Sequence, residues 1–580
     1  MELSRRDLMK YGVLGSAALL LPIERVARTQ LRVNDRMPAS GLPKPYTLPF
    51  QTPPVPAPLQ SGGTDFYYLH MRAQKTAVLG PGKPLTTIWG YAVGNLAGNV
   101  APATTPGPTI HVERGRRVAV RHFQDLPATH PDQLYPSTTS VHLHGSASLP
   151  QFDGYASDTT ATGHFKDYHY PNHQDARTLW YHDHGIHHTA NNAYMGLAAQ
   201  YHLHDDLERR LGIPVGEPYD VPLTIRDAMF AKNGELIYDD NSESGVYGDV
   251  ILVNGVPWPN MRVYKRKYRF RILNAGIARS YNLRLSTGDP FAVIGTDGGL
   301  MNAPAYVSSF RHGMAERYEV IIDFAKYKVG QKIQLLNDSP KNNRDFDTTN
   351  KVMQFEVVGD APTGPDGRIP NNDLPSQLND NFDVTGLTAK DAKRTRNFRF
   401  ERKNGHWTVN GETWEDVIAS DYRHTVASTR VGDVEIWELE NKSGGWFHPV
   451  HIHLIDFKIL DRNGKPPFAY ERGPKDVAYV GENEKVRVII KFDDTHGRNE
   501  DLEIQQRTNP EAAILPPRTG RDMMHCHNLV HEDHDMMVQF EVLPRDGSDD
   551  PVPGDPWSPG REDKDPNDDA PGKPLEEADC

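Results

Sequence analysis

The densest chemistry in the chain lies between Met524 and Met537, in the run Met-His-Cys-His-Asn-Leu-Val-His-Glu-Asp-His-Asp-Met-Met. Cys526 is one of 2 cysteines among 580 residues, and His525 and His527 flank it directly. His531 and Met536 follow within the same run. A thiolate, an imidazole and a thioether are soft and borderline ligands. One further imidazole completes the two-histidine, one-cysteine set with a weak axial methionine that makes a blue copper site. In extended backbone, successive side chains alternate faces. Cys526 then points one way and both neighbouring histidines the other. One strand would serve two metal sites joined by a covalent path of a few bonds, which is wiring for electron transfer.

The remaining ligands are sought by the same spacing. His-X-His recurs as His142-Leu-His144, His182-Asp-His184, His451-Ile-His453 and His525-Cys-His527. Residues i and i+2 of a strand share a face about 6–7 Å apart, which suits two ligands reaching neighbouring ions. Eight histidines from four strands can hold three ions. His448, in His448-Pro-Val-His451, is the natural second imidazole for Cys526. A single surface pair would arise by chance; four, one of them split by a cysteine, would not.

These stretches resemble the multicopper oxidases, and among them the bilirubin oxidases and bacterial spore-coat-type laccases. The resemblance covers most of Pro45 to Leu543. It is carried by His142-Leu-His-Gly-Ser, Phe152-Asp-Gly154, Trp180-Tyr-His-Asp-His184, Gly248-Asp-Val-Ile-Leu-Val-Asn-Gly-Val-Pro-Trp-Pro259, Met314-Ala-Glu-Arg-Tyr-Glu-Val320, Gly445-Trp-Phe-His-Pro-Val-His-Ile-His453 and the cysteine run. It implies four copper ions. His142 and His451 would hold type 2 copper. His144, His182, His184, His453, His525 and His527 would hold the type 3 pair, and His448, Cys526, His531 and Met536 would hold type 1. It also implies a role for Trp446 at the substrate edge of type 1 copper, and for Asp153 and Glu532 as proton donors to oxygen. Core packing is the other reading of Trp446; hydrogen bonding to a ligand histidine is the other reading of the two carboxyls.

The elements that must position these residues follow from the rest of the chain. With 46 prolines and 48 glycines and few long helical patterns, short strands and turns dominate. Residues 1–29 read as a twin-arginine signal, from Ser4-Arg-Arg-Asp-Leu-Met-Lys10 and the apolar run Tyr11–Pro22, which is too short for a comfortable membrane span. This predicts export through the twin-arginine translocase to the periplasm or outside, with no stable membrane span afterwards. Residues 30–63 form a proline-rich lead-in. Residues 64–207 and 396–545 carry the histidine pairs. Residues 216–360 hold none and are assigned a spacer role. Residues 361–395 read as a linker, and 546–580 as an acidic, disordered tail. Val112-Glu-Arg-Gly before His142 and Arg430-Val-Gly-Asp before His448 suggest a weak repeat. The expected fold is all-β, with three cupredoxin-like β-sandwiches and a trinuclear cluster between the first and third.

The formal charge of −13 argues against nucleic acid as a partner. Two cysteines cannot make a disulfide framework, and with Cys526 as a metal thiolate Cys580 is left unpaired. His202-Leu-His204 is expected to be structural or exposed, His187, His188 and His534 to support ligands from behind or lie at the surface, and Met523, Met524 and Met537 to be core. The long polar run Asp494–Arg521 departs from the bilirubin oxidase pattern and bears on access to type 1 copper. The function implied is one-electron oxidation of phenols, aromatic amines or tetrapyrroles, coupled to four-electron reduction of dioxygen to water. Alternatives are a cuprous or manganous ion oxidase of the same fold and a non-catalytic copper electron-transfer protein. A copper nitrite reductase has no need of eight paired histidines, and a carrier has no use for a trinuclear set.

Overall fold

The structure, a computed structural model, describes residues 31–61, 63–95, 98–131, 135–363, 369–492 and 520–544. The signal segment, the acidic tail with Cys580, and the Asp494–Arg521 run up to residue 519 lie outside them.

The fold is all-β, as the turn-rich composition predicts, and each of three units is a pair of sheets. In the first unit one sheet is built on Thr64–Thr76 and Arg117–Gln124. The other orders Ile110–Glu113, Ala198–His204, Arg177–Asp183 and Val141–His144. The middle unit pairs a seven-stranded with a five-stranded sheet between Asp220 and Gly359. The third unit sets one sheet, centred on Val434–Asn441, against another that orders Ser428–Arg430, Met537–Leu543, Gly520–Cys526, His448–Ile452 and Val477–Val480. Among the described residues the helices are short, and none is long and apolar enough to cross a membrane.

Strand character follows from alternation. In Lys332–Asn337 every second residue is buried, as a strand with one wet face requires. Val250–Val253 and Arg177–Asp183 are buried throughout, being covered on both faces. In the third unit Phe398, Trp437, Val450, Val488 and Phe540 fill the space between the sheets, and Cys526 and Met536 lie among them. The cysteine thus faces the inside of the sandwich. Residues 369–385 are pinned to the units rather than free: Asn372 N donates to Gly212 O, Leu378 N to Asn302 O, and the Asn381 amide to Asp175 Oδ2.

Register fixes the ligands. His142 lies opposite His182 on antiparallel strands of the first unit. In the third, His451 lies opposite His525 and, one rung on, Val450 opposite Cys526. Facing residues share a face and successive residues alternate. His451 and His525 therefore point together out of the sandwich, while Cys526 points in.

Candidate metal centres

The inward-facing group is compact. His448 Nδ1 lies 3.2 Å from Cys526 Sγ, His531 Nδ1 3.7 Å from the same sulfur, and the two imidazole nitrogens 3.3 Å apart. The chain achieves this with a reversal after the cysteine strand. Asn528 N donates to Cys526 Sγ, the short helix Leu529–Asp533 carries His531, and Met536 returns so that Cys526 N donates to its carbonyl. All four residues are fully buried. The outer nitrogens are held as well: Ser443 Oγ bonds His448 Nε2 at 2.8 Å, and His531 Nε2 lies 3.2 Å from Ser244 O. Trp407 stacks on the His531 ring at 3.8 Å, and half-buried Trp446 meets its edge at 5.9 Å.

The outward-facing histidines meet those of the first unit. His184 Nε2 and His453 Nε2 lie 3.2 and 3.1 Å from His525 Nε2. His144, His182 and His527 form a second group with ring centres 5.1 to 5.8 Å apart. His142 and His451, with ring centres 5.7 Å apart, complete the eight. All eight sequence-selected histidines thus converge, four from each outer unit.

Most have one nitrogen committed and one bare. His142 Nδ1, His182 Nδ1 and His451 Nδ1 donate to the carbonyls of Asp153, Asp183 and Asp476. His453 Nδ1 donates to Asp153 Oδ2 at 2.7 Å, and His144 Nε2 lies 3.1 Å from Asp476 Oδ1. Left over, buried and without a hydrogen-bond partner, are His142 Nε2, His144 Nδ1, His182 Nε2, His184 Nδ1, His451 Nε2 and both nitrogens of His527. Burial, then neighbouring imidazoles, drives the basicity of His451 and His453 far down, so these rings are neutral and their lone pairs available. An unmet buried polar atom costs about 1–3 kcal/mol. Cations that accept the lone pairs remove that penalty. Burial likewise pushes the Cys526 thiol up, and a thiolate in so dry a place needs a cation beside it. The donor set fits copper at the sulfur group and imidazole-bound copper at the cluster.

The carboxyls sit where the sequence put them, and both touch ligand rings. Asp153 bonds His453, and its carbonyl takes His142. Gly154 permits this: its φ is +76°, and a Cβ there would lie 2.4 Å from Val141 O. Glu532 Oε2 is 2.8 Å from His525 Nδ1, and Oε1 is 3.6 Å from His184 Nε2. Burial raises its pKa, but His525 and His184 outweigh it and hold the carboxyl at about 2. A small cavity lined by His187, Thr189, Glu532, Asp533 and Asp535 lies beside it.

Several residues escaped sequence reasoning. Asp476 serves His144 and His451 and is gripped by Arg317 through two bonds of 2.7 and 2.5 Å. Arg317 and Ser244 both belong to the middle unit. That unit supplies no histidine to the eight, but it is more than a spacer. Met314-Ala-Glu-Arg317 was a legible signal; Trp407 and Ser244 carried none. His202 and His204 are buried, in line with the structural alternative. Met523, Met524 and Met537 are core. His187 is part-exposed beside Glu415, and His188 stacks on Tyr135.

Three family models described as multicopper oxidase match residues 100–207, 209–358, and 384–498 with 503–546. Bilirubin oxidase of Albifimbria verrucaria is 37% identical over 92% of this chain and 89% of its own. A laccase of Bacillus subtilis is 32% identical over 87% of this chain and 98% of its own. The crystal structure of the McoA multicopper oxidase of Aquifex aeolicus superposes with a TM-score of 0.69 at 27% identity, covering 85% of this chain and 100% of that one. Three cupredoxin-like units, the convergent histidines and these likenesses lead to one conclusion: the chain belongs to the multicopper oxidases, a family of copper enzymes.

Proposed function

We propose that the protein oxidises small aromatic donors, namely phenols, aromatic amines or tetrapyrroles, one electron at a time and reduces dioxygen to water with four such electrons. The observation that carries this is the register of the cysteine strand: Cys526 faces the sulfur group while His525, on the same strand, faces His451 and the cluster. Four copper ions fit the donor sets. His448, Cys526, His531 and Met536 would hold one; His142 and His451 a second; His144, His182 and His527 a third; and His184, His453 and His525 a fourth. Bound copper supplies the one-electron redox steps and the binding of dioxygen.

The chain's own residues do the rest. The peptide links from Cys526 to His525 and His527 keep the two centres a few bonds apart. Trp446, half-buried at the edge of His531, offers donors a flat apolar contact at the surface. Asp153 and Glu532 fix ligand rings and stand beside the cluster where protons are needed, and Glu532 also lines a small cavity. Reduction of one dioxygen to two waters takes four electrons and four protons, so oxygen uptake with a one-electron phenolic donor should be one per four donor radicals. Hydrogen peroxide as the product, or no turnover with any aromatic donor while cuprous or manganous ions react, would overturn the reading. Replacing Trp446 by Ala should change rates with bulky donors more than with small phenols, leaving the blue absorption in place.

Export by the twin-arginine route to the periplasm or beyond is part of the same proposal, supported by Ser4-Arg-Arg-Asp-Leu-Met-Lys10. Changing both arginines to lysine should leave the protein in the cytoplasm, as fractionation would show.

A further inference from the structure

A third group of imidazoles lies apart from these centres, in the first unit. The parallel strands Ile110–Glu113 and Ala198–His204 set His111 opposite His202, and His204 follows two residues on along the same face. His111 Nδ1 is 2.9 Å from His204 Nε2, and one nitrogen from each of the three rings falls within 4.8 Å of the others. Ideal tetrahedral coordination at zinc–nitrogen bonds of about 2.0–2.1 Å would put such nitrogens roughly 3.3 Å apart. The His111–His204 pair is already near that spacing.

Hydrogen bonds around the rings decide where their lone pairs point. The Gln200 amide nitrogen donates to Thr224 Oγ1 and Arg271 O, so its oxygen is the atom turned to His202 Nε2 at 2.8 Å. That oxygen only accepts. His202 Nε2 therefore carries the hydrogen, and Nδ1 carries the lone pair. His204 Nδ1 donates to Glu208 Oε1 at 2.5 Å, which leaves Nε2 with the lone pair. Glu208 is itself held by Arg269 at 2.7 Å and Arg271 at 3.3 Å. A carboxylate or amide oxygen on the far nitrogen of a histidine is the arrangement that orients metal-binding imidazoles. A hydrogen bond from His111 to His204 would account for that pair alone. It leaves His202 Nδ1, on a ring that is 0% exposed, with no partner at all.

Arg269 and Arg271 are buried among Glu208, Asp220 and Glu319. Two guanidiniums against three carboxylates give this cluster one formal negative charge, set against the repulsion that Arg271 and Arg269 exert on a positive charge at His202. His111 is half-buried on the edge strand of its sheet, which gives an ion a way in. The strand bearing His142 is at the opposite edge, three strand spacings away, or about 14 Å.

We propose that His111, His202 and His204 form an additional site for a borderline divalent transition-metal ion, separate from the copper centres of the oxidase. Three imidazole donors suit zinc or cupric ion rather than magnesium or calcium. Such an ion would tie the edge strand of the first unit to its neighbour, and through Glu208 to Arg269 and Arg271 of the middle unit.

The test uses the copper-loaded full chain and zinc as the probe. Wild-type protein dialysed against micromolar zinc should retain one zinc per chain with its copper content unchanged. X-ray absorption at the zinc edge should show three nitrogen ligands at about 2.0–2.1 Å. Zinc should also raise the Tm. H111F and H202Q should each weaken zinc binding at least tenfold while copper content and blue absorption stay at wild-type level. The proposal is overturned if the copper-loaded wild type retains no zinc, if both variants retain it undiminished, or if the bound zinc has oxygen-only ligands. The wild-type measurements stand even if a variant misfolds.

Discussion

At the scale of single residues, the sharpest test is Cys526. Its sulfur is the one soft anionic donor among the described residues, 3.2 Å from His448 Nδ1. Cys526→Ser removes it, because a hydroxyl is a poor ligand for a soft site; the variant should be colourless, hold about three coppers and lose steady oxidase activity. His525 and His527 face the other way, so the cluster should still load, and a fully reduced sample should still react once, slowly, with oxygen. Retained blue absorption would refute the assignment. The carboxyls allow a second test. Asp153→Asn keeps an acceptor for His453 Nδ1, and Glu532→Gln keeps the size of the side chain, but neither amide can take up a proton and pass it on as a carboxylate can. Turnover should fall by about 10²–10⁴-fold in each, with copper content and the blue band near normal. Unchanged oxygen reduction in both would leave the two residues as ring-holders only.

At the scale of elements, strand register turns a sequence pattern into two centres. The alternation around Cys526 was legible because it needs only the period of a strand. So were the four pairs, since each lies within three residues. The partners that orient the rings were not. Asp476 reaches His144 across 332 residues, and its ion pair with Arg317 spans 159. An aspartate and an arginine so far apart carry no mark of belonging together. His111 was missed for the same reason: it is a lone histidine until its strand lies beside His202. Asp476→Ala puts this to the test. It removes the nearer of the two buried carboxylates that face Arg317 and leaves only Asp297 at 3.9 Å, which costs up to about 3–5 kcal/mol. It also frees His144, so copper affinity at the cluster should drop about 10–100-fold. Thermal unfolding and copper analysis should move together, whereas the blue absorption per remaining type 1 copper should stay. A variant with wild-type stability and full copper would show that Asp476 does neither job.

At the scale of the whole molecule, the ligands join units that are distant in the chain. The three-unit architecture could be read from the placement of the histidines, ligand-poor in the middle and ligand-rich at the ends. What could not be read was how far the middle unit reaches, since Arg317 and the Ser244 carbonyl act through positions with no ligand chemistry of their own. Copper that binds the assembled form more tightly than the unfolded chain stabilises it, so its removal should lower the Tm, by up to about 2.7 kcal/mol of lost stability for each site otherwise held at a hundredfold excess over its Kd. Chelation under reducing conditions followed by calorimetry measures this, and an unchanged Tm would mean that the docked units do not depend on metal. The contact between His184 and His525 has a further consequence, for the order of events at birth. It closes a loop of 341 residues, an entropy term of about 5 kcal/mol. During synthesis the first unit emerges long before residue 525, so its four histidines wait as a half-site while the middle unit folds. No complete cluster exists on the ribosome until almost the whole chain is out. A chain stalled after the middle unit should therefore fold two sandwiches and still lack the cluster, which makes metal loading the closing act of biogenesis and not its seed.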